Sequence, residues 1–304
     1  MQDLFHIVRL ESDGQRLDLV PGLGGAVAAW QKLDREGPLD LWRPWDGATP
    51  DLYRVANFAM LPWANRISAG GFEFEGRHYP VAPNREGEPY PIHGDGWLQP
   101  WTCERVGAGE ALLRLASRGH GGNPYVYAAE QRLRLCPGGL DQLVEVTHLG
   151  EHPLPYGLGL HPWFVRTPGA RVQAQVQGVW LCGDDPIPTG HTEAFPPGWD
   201  LRRGVGMDGP LIDNCYTGWD GAARIEWPER GLALTMQVAT LQGPSGDIAP
   251  QYCLLYRPPR GEAFCFEPVT QPIDAFRLPG RPGLQRLAHG ERLRLEVRWR
   301  WAAL

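Results

Sequence analysis

The 304-residue sequence lacks a helical signature. No stretch longer than two turns carries apolar residues at a 3.6-residue period, and neither strand–helix–strand alternation nor a fixed-length repeat occurs. Helical bundles, solenoids and doubly wound α/β folds are thereby excluded. Metal-site patterns are missing too: there is no H-E-x-x-H, no H-x-H and no Cys/His set with ligand spacing, so no metal is expected. The absence of a Walker-type phosphate loop and of G-x-S-x-G leaves nucleotide hydrolysis and serine hydrolase chemistry without support. GVGMDG at 204–209 matches G-x-G-x-x-G, but no strand precedes it and no helix follows, so it reads as a chance match. No apolar run approaches the length of a membrane span, and MQDLFHIVRLESDG has no basic region leading into an apolar core, so no signal peptide is expected. A net charge of −6 with dispersed arginines gives no reason to expect nucleic acid or an anionic membrane as partner. Cys103, Cys136, Cys182, Cys215, Cys253 and Cys265 are scattered without a C-x-x-C pair and read as reduced thiols of a cytoplasmic protein.

What is present is turn-forming and aromatic. Gly 39, Pro 30, Trp 13 and a hydrophobic fraction of 42% describe an ordered chain of short strands joined by many turns. Near the C-terminus Leu293, Leu295, Val297, Trp299 and Trp301 alternate with Arg292, Arg294, Glu296, Arg298 and Arg300, which predicts a half-buried strand with a basic outer face. QRLRLCPGGLDQLVEVTHL predicts a hairpin at the Pro-Gly-Gly of 137–139, GGFEFEGRHYPVA another near Gly76, and RIEWPERGLALTMQV a third around Gly231. The Pro-, Gly- and Asp-rich segment 184–210 reads as ordered surface loop, and no linker divides the chain. The expectation is one all-β domain over residues 1–304, a large antiparallel β-sandwich.

Several polar residues stand in apolar surroundings. In AFCFEPVTQP, Glu267 follows three buried-type residues, where a charge is costly unless it is paired or used. A place on the strand's solvent side or an arginine partner would explain it without function. His161, in YGLGLHPWFVR, is either a satisfied core histidine or a group able to deliver a proton near neutral pH. Asn65 and Arg66 precede the Phe72 hairpin, and His93 opens the turn His93-Gly94-Asp95-Gly96-Trp97; each suits a ligand contact or a purely structural one. Asp213 in LIDNCYTGW is a further acid, with an Asx-type turn as the plainer reading.

In order along the chain, N-R-I with G-x-F-x-x-x-G at 65–76, I-H-G at 92–94, H-P-W-F at 161–164, D-N-C-Y at 213–216 and E-P-V-T-x-P-x-x-A-F at 267–276 resemble the aldose 1-epimerase (galactose mutarotase) family. The resemblance implies a large β-sandwich enzyme, an isomerase that interconverts sugar anomers without a cofactor. It places Glu267 as the general base at the anomeric hydroxyl and His161 as the general acid at the ring oxygen. Arg66, His93 and Asp213 fall on its sugar-binding positions, with Asn65 beside them and Trp163 in place of a common Tyr. Breaking the bond between C1 and the ring oxygen removes a proton at O1 and adds one at O5, so one acid and one base suffice. Phe264 and Phe266 could desolvate Glu267 and strengthen it as a base, and Trp63, Trp97 and Trp163 could pack against sugar C–H faces.

Leu160, Val165 and Asp95 also depart from the family's common residues, which puts galactose specificity in question. Arg35, Arg43 and Arg54 are scattered before residue 60 and form no local cluster of the kind that would hold a phosphorylated or sulfonated hexose. The expected partner is a small sugar, acting on a monomer or homodimer. The alternatives are a non-catalytic carbohydrate-binding module, an epimerase of phosphorylated or sulfonated hexoses, and a glycosidase using Glu267 with Asp213.

Overall fold

The computed structural model describes residues 5–304, which form antiparallel sheets linked by turns. Among them helical structure is limited to three-residue 3-10 turns, and no helix is long and apolar enough to cross a membrane. A ten-stranded sheet has at its centre the strands Leu232–Gly243, Arg292–Ala303, Gly139–His148, Val126–Cys136 and Glu110–Arg118, neighbours in that order. An eight-stranded sheet carries, in order, Gly178–Cys182, Ile212–Thr217, Tyr252–Arg257, Ala263–Val269, Gly159–Leu160 and Ala59–Met60. The three hairpins fall where the turn residues predict them. The first needs only Pro137 and Gly138 between its strands.

The period-2 pattern explains how the sheets pack. Leu293, Leu295, Val297 and Trp299 are buried, and the Trp299 ring lies 5.2 Å from Trp42 and 6.1 Å from Phe164, across the sandwich. Phe164 in turn stacks on Phe264 at 5.5 Å. Trp301, at the strand's end, is only partly buried, packed at 5.9 Å on Trp30 of the strand Ala26–Asp34. The outer face of Arg292–Ala303 is not basic as expected. Arg292 pairs with Glu145 of the next strand, and Arg294 and Arg298 flank Glu296, so neighbouring acids neutralise the arginines. These exposed pairs contribute little stability each; their effect is to keep a broad sheet face hydrated.

A buried amide chain crosses the core. Asn57 donates to Gln142 (3.0 Å), Gln142 to Gln131 (2.9 Å), and Gln131 to the Gly25 carbonyl (2.8 Å). Segment 184–210 is more structured than a surface loop. It supplies the edge strand Pro188–Thr192, paired with Gly178–Cys182, and the short strand Val205–Gly206 of the other sheet. All six cysteines are free thiols, three of them buried.

Candidate active site

The strand Ala263–Val269 organises the site. Gly159 pairs with Val269 on one side of a short interruption and Trp163 pairs with Cys265 on the other, both antiparallel to it. That register brings His161 opposite Glu267, and directly opposed residues of antiparallel strands have neighbouring side chains. The His161 Nε2 lies 3.4 Å from Glu267 Oε1. Pro162 has no N–H to offer the Ala263–Val269 strand, and the His161 amide faces the other neighbour, donating to the Phe58 carbonyl at 3.0 Å. Thr270 locks the strand's far end, its amide donating to Leu158 O and its hydroxyl accepting from the Leu158 amide, both at 2.9 Å.

Glu267 and His161 lie in a cleft lined also by Tyr53, Asn65, Arg66, Glu88, Ile92, His93, Trp163, Asp213 and Tyr256. All seven residues singled out from the sequence line this one cavity. Glu267 is 3% exposed and His161 5%. Strand alternation turns Phe264 and Phe266 to the opposite face, into the sandwich core against Phe164 and Trp219, so they do not enclose the carboxyl. Burial among Cys265, His161 and the cavity walls raises the Glu267 pKa well above the carboxylate range, Asp213 adds to the rise, and Arg66 opposes it. Burial pushes His161 the other way, to about 3, with Arg43, Arg85 and Arg66 assisting. The sequence suggested an imidazole titrating near neutrality; burial disfavours its charged form. Its ring is clamped between Phe58, at 4.7 Å, and Trp163, at 5.2 Å.

Beside His161, whose ring meets that of His93 edge-on at 5.2 Å, the wall comes from two left-handed backbone positions, Asn65 (φ 57°) and His93 (φ 59°). The Asn65 amide donates to His93 Nδ1 at 3.1 Å, which leaves the ring proton on Nε2 and makes His93 a neutral donor. Burial is the main cause of its lowered pKa. Asn65 Oδ1 accepts from the Arg66 amide at 2.9 Å, so this side chain mainly shapes the turn. Gly94 is obligatory next to His93: at φ 70°, a Cβ there would meet the Leu61 carbonyl oxygen at 2.0 Å. Asp95 is a buried anchor. Its carboxylate accepts from Tyr127 Oη (2.6 Å), Ser117 Oγ (3.0 Å) and Gln99 Nε2 (3.1 Å), tying the His93 turn to the ten-stranded sheet.

Arg66 is gripped by Glu88 through Nε and Nη2, at 3.0 and 3.1 Å, and lies 3.8 Å from Asp213. Nη1 donates to Asn65 Oδ1 at 3.4 Å and faces Asp213, and the guanidinium lines the cleft, where it could meet sugar hydroxyls. Asp213 belongs to the strand Ile212–Thr217 and not to a turn, its amide bonded to Asn214 Oδ1. Of the three tryptophans only Trp163 reaches the cleft. Trp63 and Trp97 are core residues, the latter stacked on Phe58 at 5.3 Å. Glu88, Tyr53 and Tyr256 were not foreseen from the sequence, and Ile92 was noted only as part of I-H-G. Glu88 could have been suspected, as a charge five residues before His93 in the same Gly/Pro-rich turn.

The aldose 1-epimerase family model matches residues 6–300. The chain is 33% identical to Escherichia coli (strain K12) uncharacterized protein YphB over 252 residues, 80% of this chain and 83% of the relative. A solved structure of a candidate aldose 1-epimerase from Escherichia coli K12 superposes with a TM-score of 0.89 at 28% identity, covering 98% of this chain and 99% of that one. A galactose mutarotase-like protein from Clostridium acetobutylicum shares the fold at a TM-score of 0.82 and 16% identity, covering 98% and 95% of the two chains.

Proposed function

The chain belongs to the aldose 1-epimerase family, and we propose that it is a mutarotase which opens and recloses the ring of a free aldose by acid and base catalysis at His161 and Glu267. One observation carries this reading: a buried imidazole and a buried carboxyl 3.4 Å apart in a polar cleft. The atoms O1 and O5 of a hemiacetal are both bonded to C1, so a close acid–base pair can address both.

Before sugar binds, burial favours a neutral imidazole and a protonated carboxyl. The pair then holds one mobile proton, on Glu267. Sugar hydroxyls that bond to the carboxylate, together with Arg66, stabilise its charged form, and the proton passes to His161 Nε2. Glu267 then removes the O1 proton while His161 protonates O5, the C1–O5 bond breaks, and an open-chain aldehyde results. Rotation about C1–C2 presents the other carbonyl face. On reclosure O5 returns its proton to His161 and O1 recovers one from Glu267, so proton count and charge end where they began. Arg66, the His93 Nε2–H and Asp213 hold the remaining hydroxyls, and Trp163 supplies an aromatic wall.

The test is anomer exchange: fresh α-anomer is added, and optical rotation or anomeric proton signals are followed with and without protein. Acceleration by wild type and its loss in Glu267→Gln support the assignment; an undiminished rate in Glu267→Gln refutes it.

A second reading, an aldose bearing a phosphate or sulfonate, is favoured by one feature. Arg43, Arg54, Arg85 and Arg260 line an open cavity that shares Tyr53, Trp163 and Tyr256 with the cleft, against two acids, Asp51 and Glu262. Arg43 and Arg54, scattered along the sequence, stand there with Arg85 and Arg260, while Arg35 does not. Comparing kcat/KM for neutral aldoses and their 6-phosphates in the same assay separates the two readings.

A further inference from the structure

Next to Glu267 and His161 lies a group that the proposed reaction does not use. Cys265 is two residues before Glu267 on the same strand and therefore on the same side, and it is fully buried. Its Sγ, a His161 ring nitrogen and a Glu267 oxygen all lie within 4.8 Å of one another. These are three donors of the kinds that bind Zn²⁺. We propose that Cys265, His161 and Glu267 form a binding site for a thiophilic divalent cation of the Zn²⁺ class, and that its occupancy inhibits the enzyme.

Geometry favours this over an accidental grouping. Tetrahedral Zn²⁺ with Zn–N and Zn–O bonds of about 2.0–2.1 Å sets those donor atoms about 3.4 Å apart. His161 Nε2 and Glu267 Oε1 already stand at 3.4 Å. Zn–S of about 2.3 Å calls for S···N near 3.6 Å, so the thiol needs to close by at most about 1.2 Å, within reach of a χ1 adjustment. Glu267 Oε2 is buried without a hydrogen-bond partner, and so is His161 Nδ1. The carboxyl is thus not committed elsewhere. A thiolate, a carboxylate and a neutral imidazole together balance a dication, which suits a buried position where net charge is costly. The cleft offers the route in and the fourth coordination position.

The surroundings also indicate a weak, reversible site. Metal-ligating histidines normally donate their second ring N–H to a fixed acceptor, and its absence costs about 10–100-fold in affinity. Here Nδ1 has no such partner, and the Arg43 guanidinium, stacked on Trp163, bears on the thiol from behind. Such a site would leave the catalytic pair free at low metal activity and seize it when the metal rises.

The test uses the full chain and does not depend on the sugar reaction. Co²⁺, a spectroscopic stand-in for Zn²⁺, is titrated into wild type, Cys265→Ala, Cys265→Val and His161→Ala. One equivalent is expected to produce a thiolate-to-metal charge-transfer band in wild type that is lost in all three variants and bleached by Zn²⁺. In parallel, Zn²⁺ should slow anomer exchange reversibly with chelator, with its half-inhibitory concentration at least tenfold higher in whichever Cys265 variant keeps its metal-free rate. A wild-type protein without the band, or a band that survives in both Cys265 variants, overturns the proposal whether or not anomer exchange is observed. Equal Zn²⁺ sensitivity with and without the Cys265 thiol also overturns it.

Discussion

The Nε2 of His161 stands 3.4 Å from Oε1 of Glu267, because Gly159 pairs with Val269 and Trp163 with Cys265 in one antiparallel register. Glu267→Gln keeps the shape of the side chain and removes its basicity. It is expected to lower kcat for anomer exchange by about 10²–10⁴-fold with little change in KM, and His161→Ala should do the same. Polarimetry across a substrate series, with thermal melts to confirm folding, checks this.

Burial gives the pair opposite linkage to folding. The folded Glu267 holds its proton more tightly than the unfolded chain. Its stabilising contribution is complete below the ordinary carboxylate pKa of about 4.5 and is lost as pH rises through the folded value. The Tm of Glu267→Gln should therefore match wild type near pH 4 and exceed it increasingly at higher pH. For His161 the folded pKa is depressed to about 3. Its contribution is present above the unfolded value near 6.5 and is lost on acidification toward 3. His161→Asn should flatten the fall of Tm across that window. Calorimetric melts at stepped pH measure both.

Glu88 positions Arg66 without itself being assigned to the reacting atoms. Glu88→Ala frees the guanidinium from its two-pronged grip at 3.0 and 3.1 Å. An increase in KM of about tenfold with kcat changed less than threefold is expected, since one charge-assisted bond orienting a ligand group is worth about 1.5–3 kcal/mol. Glu88→Gln, which can still accept hydrogen bonds, should recover part of the affinity. Steady-state kinetics with kcat and KM resolved separately decides it.

Asp95 makes three buried hydrogen bonds that hold the His93 turn against the ten-stranded sheet. Asp95→Ala removes the acceptor of the buried Tyr127 and Ser117 hydroxyls and should cost about 2–4 kcal/mol of stability, together with a raised KM as His93 shifts. Asp95→Asn keeps an acceptor and should cost less. Urea unfolding of the two variants, set beside their KM values, tests the ranking.

Much of this arrangement was legible along the chain. Alternation at 292–301 named the strand and its inner face, and Pro-Gly-Gly at 137–139 located a hairpin, because both signals act between residues close in sequence. The candidate site residues were recognisable as polar groups in stretches otherwise suited to a core. The identity of their neighbours was not. Phe264 and Phe266 looked like the walls around Glu267 but point into the sandwich, and the basic face of the last strand is cancelled by Glu145 and Asp141 from an adjacent strand.

The sequence by itself determined which segments become strands, which side of each is apolar, and which residue types are available for proton transfer. These depend on backbone geometry and near neighbours. Only the tertiary structure decided the register that sets His161 against Glu267, the burial that suppresses their charges, the clamp of Glu88 on Arg66, and the gathering of Arg43, Arg54, Arg85 and Arg260 at one cavity. Strand pairing and desolvation are sums over residues remote in the chain, and no local pattern encodes them.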